Sequence, residues 1–137
     1  MSDILTPSRM SSIRSKNTKP ELAVQKMADE LELRYELHRE DLPGIPDLVF
    51  PTLHTIVFVH GCFWHMHYCP VGRVAPQTNA EFWRRKRWYN KKRDERNEDA
   101  LRRQGWDVVT IWECETKDEQ ILRTLMNGID PALPTQP

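Results

Sequence analysis

The residues best suited to chemistry are concentrated in one short stretch. His60-Gly61-Cys62-Phe63-Trp64-His65-Met66-His67-Tyr68-Cys69 holds three of the five histidines and two of the three cysteines of the chain, and the third, Cys114, ends a later apolar segment. Residues Met1 to Met10 are mixed polar with no apolar h-region, which predicts a cytosolic protein, and disulfides are rare there. A Cys/His cluster in that setting points to a metal ion rather than to a disulfide. Thiolate and imidazole are the donors that zinc prefers in a closed tetrahedral site. Cys62, Cys69 and Cys114 supply three sulfurs, and His65 and His67 both lie within reach as the fourth ligand. The spacing is not that of a standard finger, and the competing explanation is three reduced cysteines packed as small hydrophobes.

Three other features carry chemistry. Pro46-Asp47 stands at the head of a short apolar strand, and a carboxylate at a sheet end can hold Mg2+, which keeps several waters and takes phosphate oxygens. One aspartate plus a backbone carbonyl would then suffice; the alternative is a turn or cap aspartate. His65, with an ordinary imidazole pKa of about 6.5, can accept a proton from water at neutral pH, unless it is a zinc ligand or a surface residue. Aromatic residues stand among polar neighbours at Phe63, Trp64, Phe82, Trp83, Trp88 and Tyr89. Such side chains can wedge between base steps and bend DNA, although Phe82 and Tyr89 read as ordinary core.

Charge distribution agrees with a phosphate-bearing partner. The formal net charge is zero, yet residues 84–103 hold ten of the 20 Lys and Arg against four acids, so this segment is +6 and the remainder −6. The first 19 residues add Arg9, Arg14, Lys16 and Lys19 against Asp3 alone. Two basic zones on a neutral chain imply a polarised surface; a solvated helix face laced with ion pairs is the plainer account. No run of about 18 apolar residues is present, so no membrane span is expected.

These groups must be positioned by a small α/β domain. The 137 residues fit one core. Residues 1–17 read as a flexible basic arm, 18–128 as a single domain and 129–137 as a tail. Thr18-Lys19-Pro20-Glu21 is a capping box with proline in the first turn, followed by apolar residues at helical spacing from Ala23 to Leu31. Leu33 to Leu37 could be a strand, Asp41-Leu42-Pro43-Gly44 is a turn, and Asp47 to Phe50 and Thr55 to Val59 read as buried strands. A long helix runs from Asn79, as N-cap, to a stop at Gly105. Trp106 to Trp112 is a strand and Asp118 to Met126 a helix. The order α-β-β-β-α-β-α, with hairpin-like strands first and a helical crossover before the last strand, implies one mixed β-sheet flanked by helices.

Pro43-Gly44-Ile45-Pro46-Asp47, Val57-Phe58-Val59-His60-Gly61-Cys62-Phe63-Trp64-His65, Gly105-Trp106 and Trp112-Glu113-Cys114 together resemble the very-short-patch repair endonucleases, as does Arg14-Ser15-Lys16-Asn17; the resemblance covers about residues 7 to 116. It implies a restriction-endonuclease-like core with a structural zinc site and Mg2+-dependent nicking of double-stranded DNA 5′ of the thymine in a T·G mismatch. It further implies that Asp47 and the backbone carbonyl of Val59 bind Mg2+, that His65 is the general base, that His60 lies near the scissile phosphate, and that Glu21 is the first-helix glutamate of the active site. Cys62, His67, Cys69 and Cys114 would hold Zn2+. Phe63, Trp64 and Trp83 would enter the base stack, with Arg14, Lys16, Arg84, Arg85 and Arg87 on the DNA backbone. The expected protein is a monomer of the bacterial cytoplasm, at the nucleoid when acting, with no membrane partner and with functional links to a cytosine DNA methyltransferase and other repair proteins. The broader nuclease superfamily has Glu-x-Lys on the strand that here ends in Val59-His60, so a histidine-based variant is implied. The alternatives are a non-catalytic zinc-containing DNA-binding module and a restriction-type endonuclease that cuts paired DNA.

Overall fold

A computed structural model describes residues 18–62, 67–73 and 77–129. Arg14, Lys16, Phe63, Trp64 and His65, together with the expected basic arm and most of the tail, lie outside the described residues. The elements are α1 (Lys19–Glu30), β1 (Glu36–Leu37), β2 (Leu48–Phe50), a 3-10 turn (Pro51–Leu53), β3 (Thr55–His60), α2 (Ala80–Arg103), β4 (Asp107–Trp112), α3 (Glu113–Thr116) and α4 (Glu119–Asn127). The four strands form one sheet in the order β1-β2-β3-β4. β1 and β3 are antiparallel to β2, whereas β3 and β4 run parallel, from Thr55 beside Asp107 to His60 beside Trp112. The mixed sheet therefore follows the expected order, with the single-turn helix α3 as an addition and with β1 confined to the last two residues of the expected strand.

Alternation along the strands sorts side chains onto two faces, and both faces are covered. Leu48, Phe50, Val57 and Ile111 pack with Val24, Met27 and Ala28 of α1 and with Leu122 and Met126 of α4. Val49, Ile56 and Phe58 point the other way and pack with Leu42 and with Leu101 of α2. Burial on both sides explains why β2 and β3 are apolar runs rather than alternating ones. The helix ends follow local chemistry. Thr18 Oγ1 accepts the Glu21 amide at 3.4 Å, Asp118 accepts the Gln120 and Ile121 amides, and Gly105 ends α2 with a φ of +96° that a side chain would resist. Asn79 stands at the expected N-cap of α2 but in a left-handed conformation and without a side-chain cap bond.

The long helix corrects two expectations. Of its residues only Arg87, Asn90 and Leu101 are buried. Arg87 was expected at the DNA backbone; instead it is 6% exposed and donates to the Gly72 carbonyl, tying α2 to the loop after Cys69. Conversely, Phe82 and Tyr89 are 57% and 55% exposed rather than core residues. They face solvent because the inward side of α2 is the polar stripe that begins at Arg87. Among the described residues, no helix is long and apolar enough to cross a membrane.

Candidate active site and metal centre

Because β2 is antiparallel to β3, the residue just before β2 lies beside the end of β3. Asp47 Oδ2 thus accepts the Val59 amide at 2.7 Å. Glu21, in the first turn of α1, is 2% exposed and directs its Oε2 at His38 Nε2. Ligand atoms of Glu21, His38 and Asp47 lie within 4.8 Å of one another. They open onto a cleft of about 1060 Å³ whose walls also include His60, Asp94, Asn97 and Glu113. His60 packs against the rings of Phe58 and Trp112, with centroids 5.6 and 5.3 Å away. Burial pushes the Asp47 carboxyl up to about 7, and the nearby Glu21 charge adds to this, while the Val59 amide opposes it. A carboxylate so placed gains from a cation, and hard oxygen donors suit Mg2+.

A second group of potential ligands lies beyond the ends of β3 and β4. Cys62, His67, Cys69 and Cys114 present ligand atoms within 4.8 Å of one another. The Cys114 amide donates to Cys62 Sγ at 3.4 Å, and Cys114 Sγ is 3.6 Å from His67 Nδ1. His67 is stacked between Trp112 and Tyr68. Burial pushes the Cys62 thiol up to about 12 and raises Cys114, whereas the Gly72 amide holds Cys69 down at about 6. Three sulfurs and one imidazole are a donor set that fits Zn2+, and the buried thiols would have to release protons on binding it. Gly72 has no room for a side chain, since a Cβ there would stand 1.9 Å from the His67 carbonyl oxygen. Glu113 joins the two sites: it lines the cleft and its Oε1 accepts the Cys62 amide at 3.3 Å.

Of the residues singled out from sequence, Asp47, His60, Glu21 and the Val59 backbone meet at the cleft, and the three cysteines meet with His67. Trp83 is half-buried in the first turn of α2, edge-on to Phe82. Arg84 and Arg85 are exposed, and both pair with Glu81. Sequence reasoning missed His38, Asp94 and Glu113. The available signal for Asp94 is helical spacing: Arg87, Asn90, Asp94, Asn97 and Leu101 recur at intervals of three or four residues and so share one face.

The fold is that of an endonuclease catalytic domain. It is similar to the solved structure titled "Homing Endonuclease I-Bth0305I Catalytic Domain", with a TM-score of 0.55 and 19% identity, covering 82% of this chain and 94% of that one. The family model described as "DNA mismatch endonuclease Vsr" matches residues 2–71. The "Type II nicking enzyme V.XorIIP" of Xanthomonas oryzae pv. oryzae is 44% identical, over 96% of this chain and 100% of that protein. The "DNA mismatch endonuclease Vsr" of Escherichia coli K12 is 34% identical, over 82% of this chain and 72% of that protein. The chain belongs to the Vsr family of DNA mismatch endonucleases, and it is a DNA mismatch repair endonuclease.

Two outcomes test these geometries. Gly72→Ala should displace the His67 backbone, so the purified variant should carry well under the wild-type metal content by elemental analysis and unfold at lower temperature; full metal retention would refute the close approach. The raised Asp47 carboxyl makes a stabilising contribution that is complete below its ordinary value of 3.8 and is lost as the pH rises through about 7. In Mg2+-free buffer Asp47→Asn should therefore unfold at higher denaturant than wild type at pH 8, with the difference vanishing near pH 4.

Proposed function

We propose that the enzyme nicks double-stranded DNA 5′ of the thymine in a T·G mismatch by Mg2+-dependent phosphodiester hydrolysis. The observation that carries this reading is the convergence of Asp47, Glu21 and the end of β3 on one cleft. Asp47 and the Val59 carbonyl would hold Mg2+, with Glu21 beside them. When bound, the ion supplies Lewis-acid stabilisation of charge on the phosphate oxygens. His65 takes a proton from the attacking water as the new bond to phosphorus forms and the bond to the departing sugar oxygen breaks. His60 lies at the cleft wall, where it can contact the phosphate. Zn2+ on Cys62, His67, Cys69 and Cys114 would fix Cys62 and His67, the residues that flank segment 63–66 with Phe63 and Trp64.

A T·G pair is still hydrogen-bonded, and it differs from its neighbours chiefly in being cheaper to unstack and deform. Phe63, Trp64 and Trp83 are the proposed wedge; Trp83 stands half-buried in the first turn of α2, edge-on to Phe82. Arg84 and Arg85, with Arg14 and Lys16, would contact the DNA backbone. The enzyme would act as a monomer in the bacterial cytoplasm. Deamination of a methylated cytosine opposite guanine yields such a mismatch, which links this activity to that of a cytosine methyltransferase.

The test is a panel of matched and T·G duplexes, with Mg2+ present or omitted. Nicking should be confined to T·G duplexes with Mg2+. Asp47→Asn should bind DNA but not cut, and His65→Ala should be slower by roughly 10²–10⁴-fold. Equal cutting of matched duplexes, or wild-type turnover by Asp47→Asn, would defeat the proposal.

A further inference from the structure

The cleft contains one potential ligand, His38, that no sequence motif announces. His38 follows β1 directly and adopts a left-handed backbone conformation, φ 49°, which non-glycine residues rarely take. Its amide donates to the Asp47 carbonyl at 3.2 Å, which extends the β1–β2 pairing by one bond and pins His38 beside Asp47. Its side chain is 14% exposed and ends against Glu21, which is 2% exposed. An imidazole nitrogen therefore stands with two carboxylates inside a sphere the size of one coordination shell, at the head of an open cleft. Carboxylate and carbonyl oxygens alone suit hard ions such as Mg2+, whereas an imidazole adds a donor that transition ions favour and Mg2+ does not.

We propose that His38, together with Glu21, is a further protein ligand for the cation held by Asp47 and the Val59 carbonyl, and that its imidazole tilts the site from Mg2+ towards Mn2+. This rests on the reading above that Asp47 binds a divalent cation. The ligand set then combines two carboxylate oxygens and one carbonyl oxygen, which attract either ion, with one neutral nitrogen, which discriminates between them. Glutamine at position 38 keeps a polar group able to meet Glu21 and removes the nitrogen ligand, so it separates coordination from simple hydrogen bonding.

The experiment uses the full chain with its Cys/His site loaded with zinc and without DNA. Mn2+ binding is followed by electron paramagnetic resonance, and Mg2+ binding by competition against Mn2+, for wild type, His38→Gln and Asp47→Asn. His38→Gln should weaken Mn2+ binding by about 10–100-fold while Mg2+ binding changes less than about threefold. Pulsed spectra of bound Mn2+ should show ¹⁴N coupling in wild type that disappears in His38→Gln. The retained Mg2+ affinity reports that the variant site is intact. Equal loss of both ions, unchanged selectivity, persistence of the ¹⁴N coupling, or failure of wild type to bind Mn2+ would overturn the role of His38. If Asp47→Asn also binds Mn2+ normally, the cation is not at Asp47 and the underlying reading fails with it; if Asp47→Asn loses the ion, only the assignment of His38 is at issue.

Discussion

The site depends on one hydrogen bond, from the Val59 amide to the Asp47 carboxylate. It exists because β2 starts where β3 ends, a consequence of antiparallel pairing with Leu48 opposite Val57. A one-residue slip would invert the faces of β2, moving Leu48 and Phe50 out of the α1/α4 core and Asp47 away from the cleft. Core packing therefore enforces the register that positions the carboxylate. The same bond opposes a burial that favours the protonated acid, leaving Asp47 poised near neutrality. Burial of a carboxylate in this way is common at functional sites, where the bare fold is not at its maximal stability.

The two ligand clusters are joined mechanically. Cys62 follows the end of β3 and Cys114 the end of β4, so the parallel pairing of His60 with Trp112 brings both thiols together. Glu113 accepts the Cys62 amide on one side and faces the cleft on the other. From the opposite direction, Arg87 of α2 holds the Gly72 carbonyl, and Gly72 lies against the backbone of His67. Removing a ligand would thus disturb the cleft through the strand ends as well as the loop.

Much of this was legible because local signals were strong. The apolar run Thr55–Val59, the Thr18 cap, the Gly105 stop and the density of Cys and His from 60 to 69 each encode their structure within a few residues. His38 was not legible, because its importance comes from Glu21, seventeen residues away, and from a two-residue strand that carries no periodic pattern. Arg87 was read as surface because it closes the run Arg84-Arg85-Lys86-Arg87, and charge count does not reveal which member turns inward. The stripe from Arg87 through Asn90, Asp94 and Asn97 to Leu101 has helical period but is mostly polar, so a search for apolar periodicity passes over it. Phe82 and Tyr89 failed in the opposite sense: aromatic identity suggested core, while their place on the other face of α2 exposes them.

Asp47, proposed as a cation-binding carboxylate, carries a charge that the fold alone disfavours. Carbon-13 NMR of the Asp47 carboxyl in the DNA-free protein, titrated from pH 3 to 9 with or without Mg2+, tests this directly. The carboxyl should titrate near 7 without the ion and stay ionised down to much lower pH when Mg2+ is present. An Asp47 that titrates in the ordinary carboxylate range and does not respond to Mg2+ would contradict this assignment.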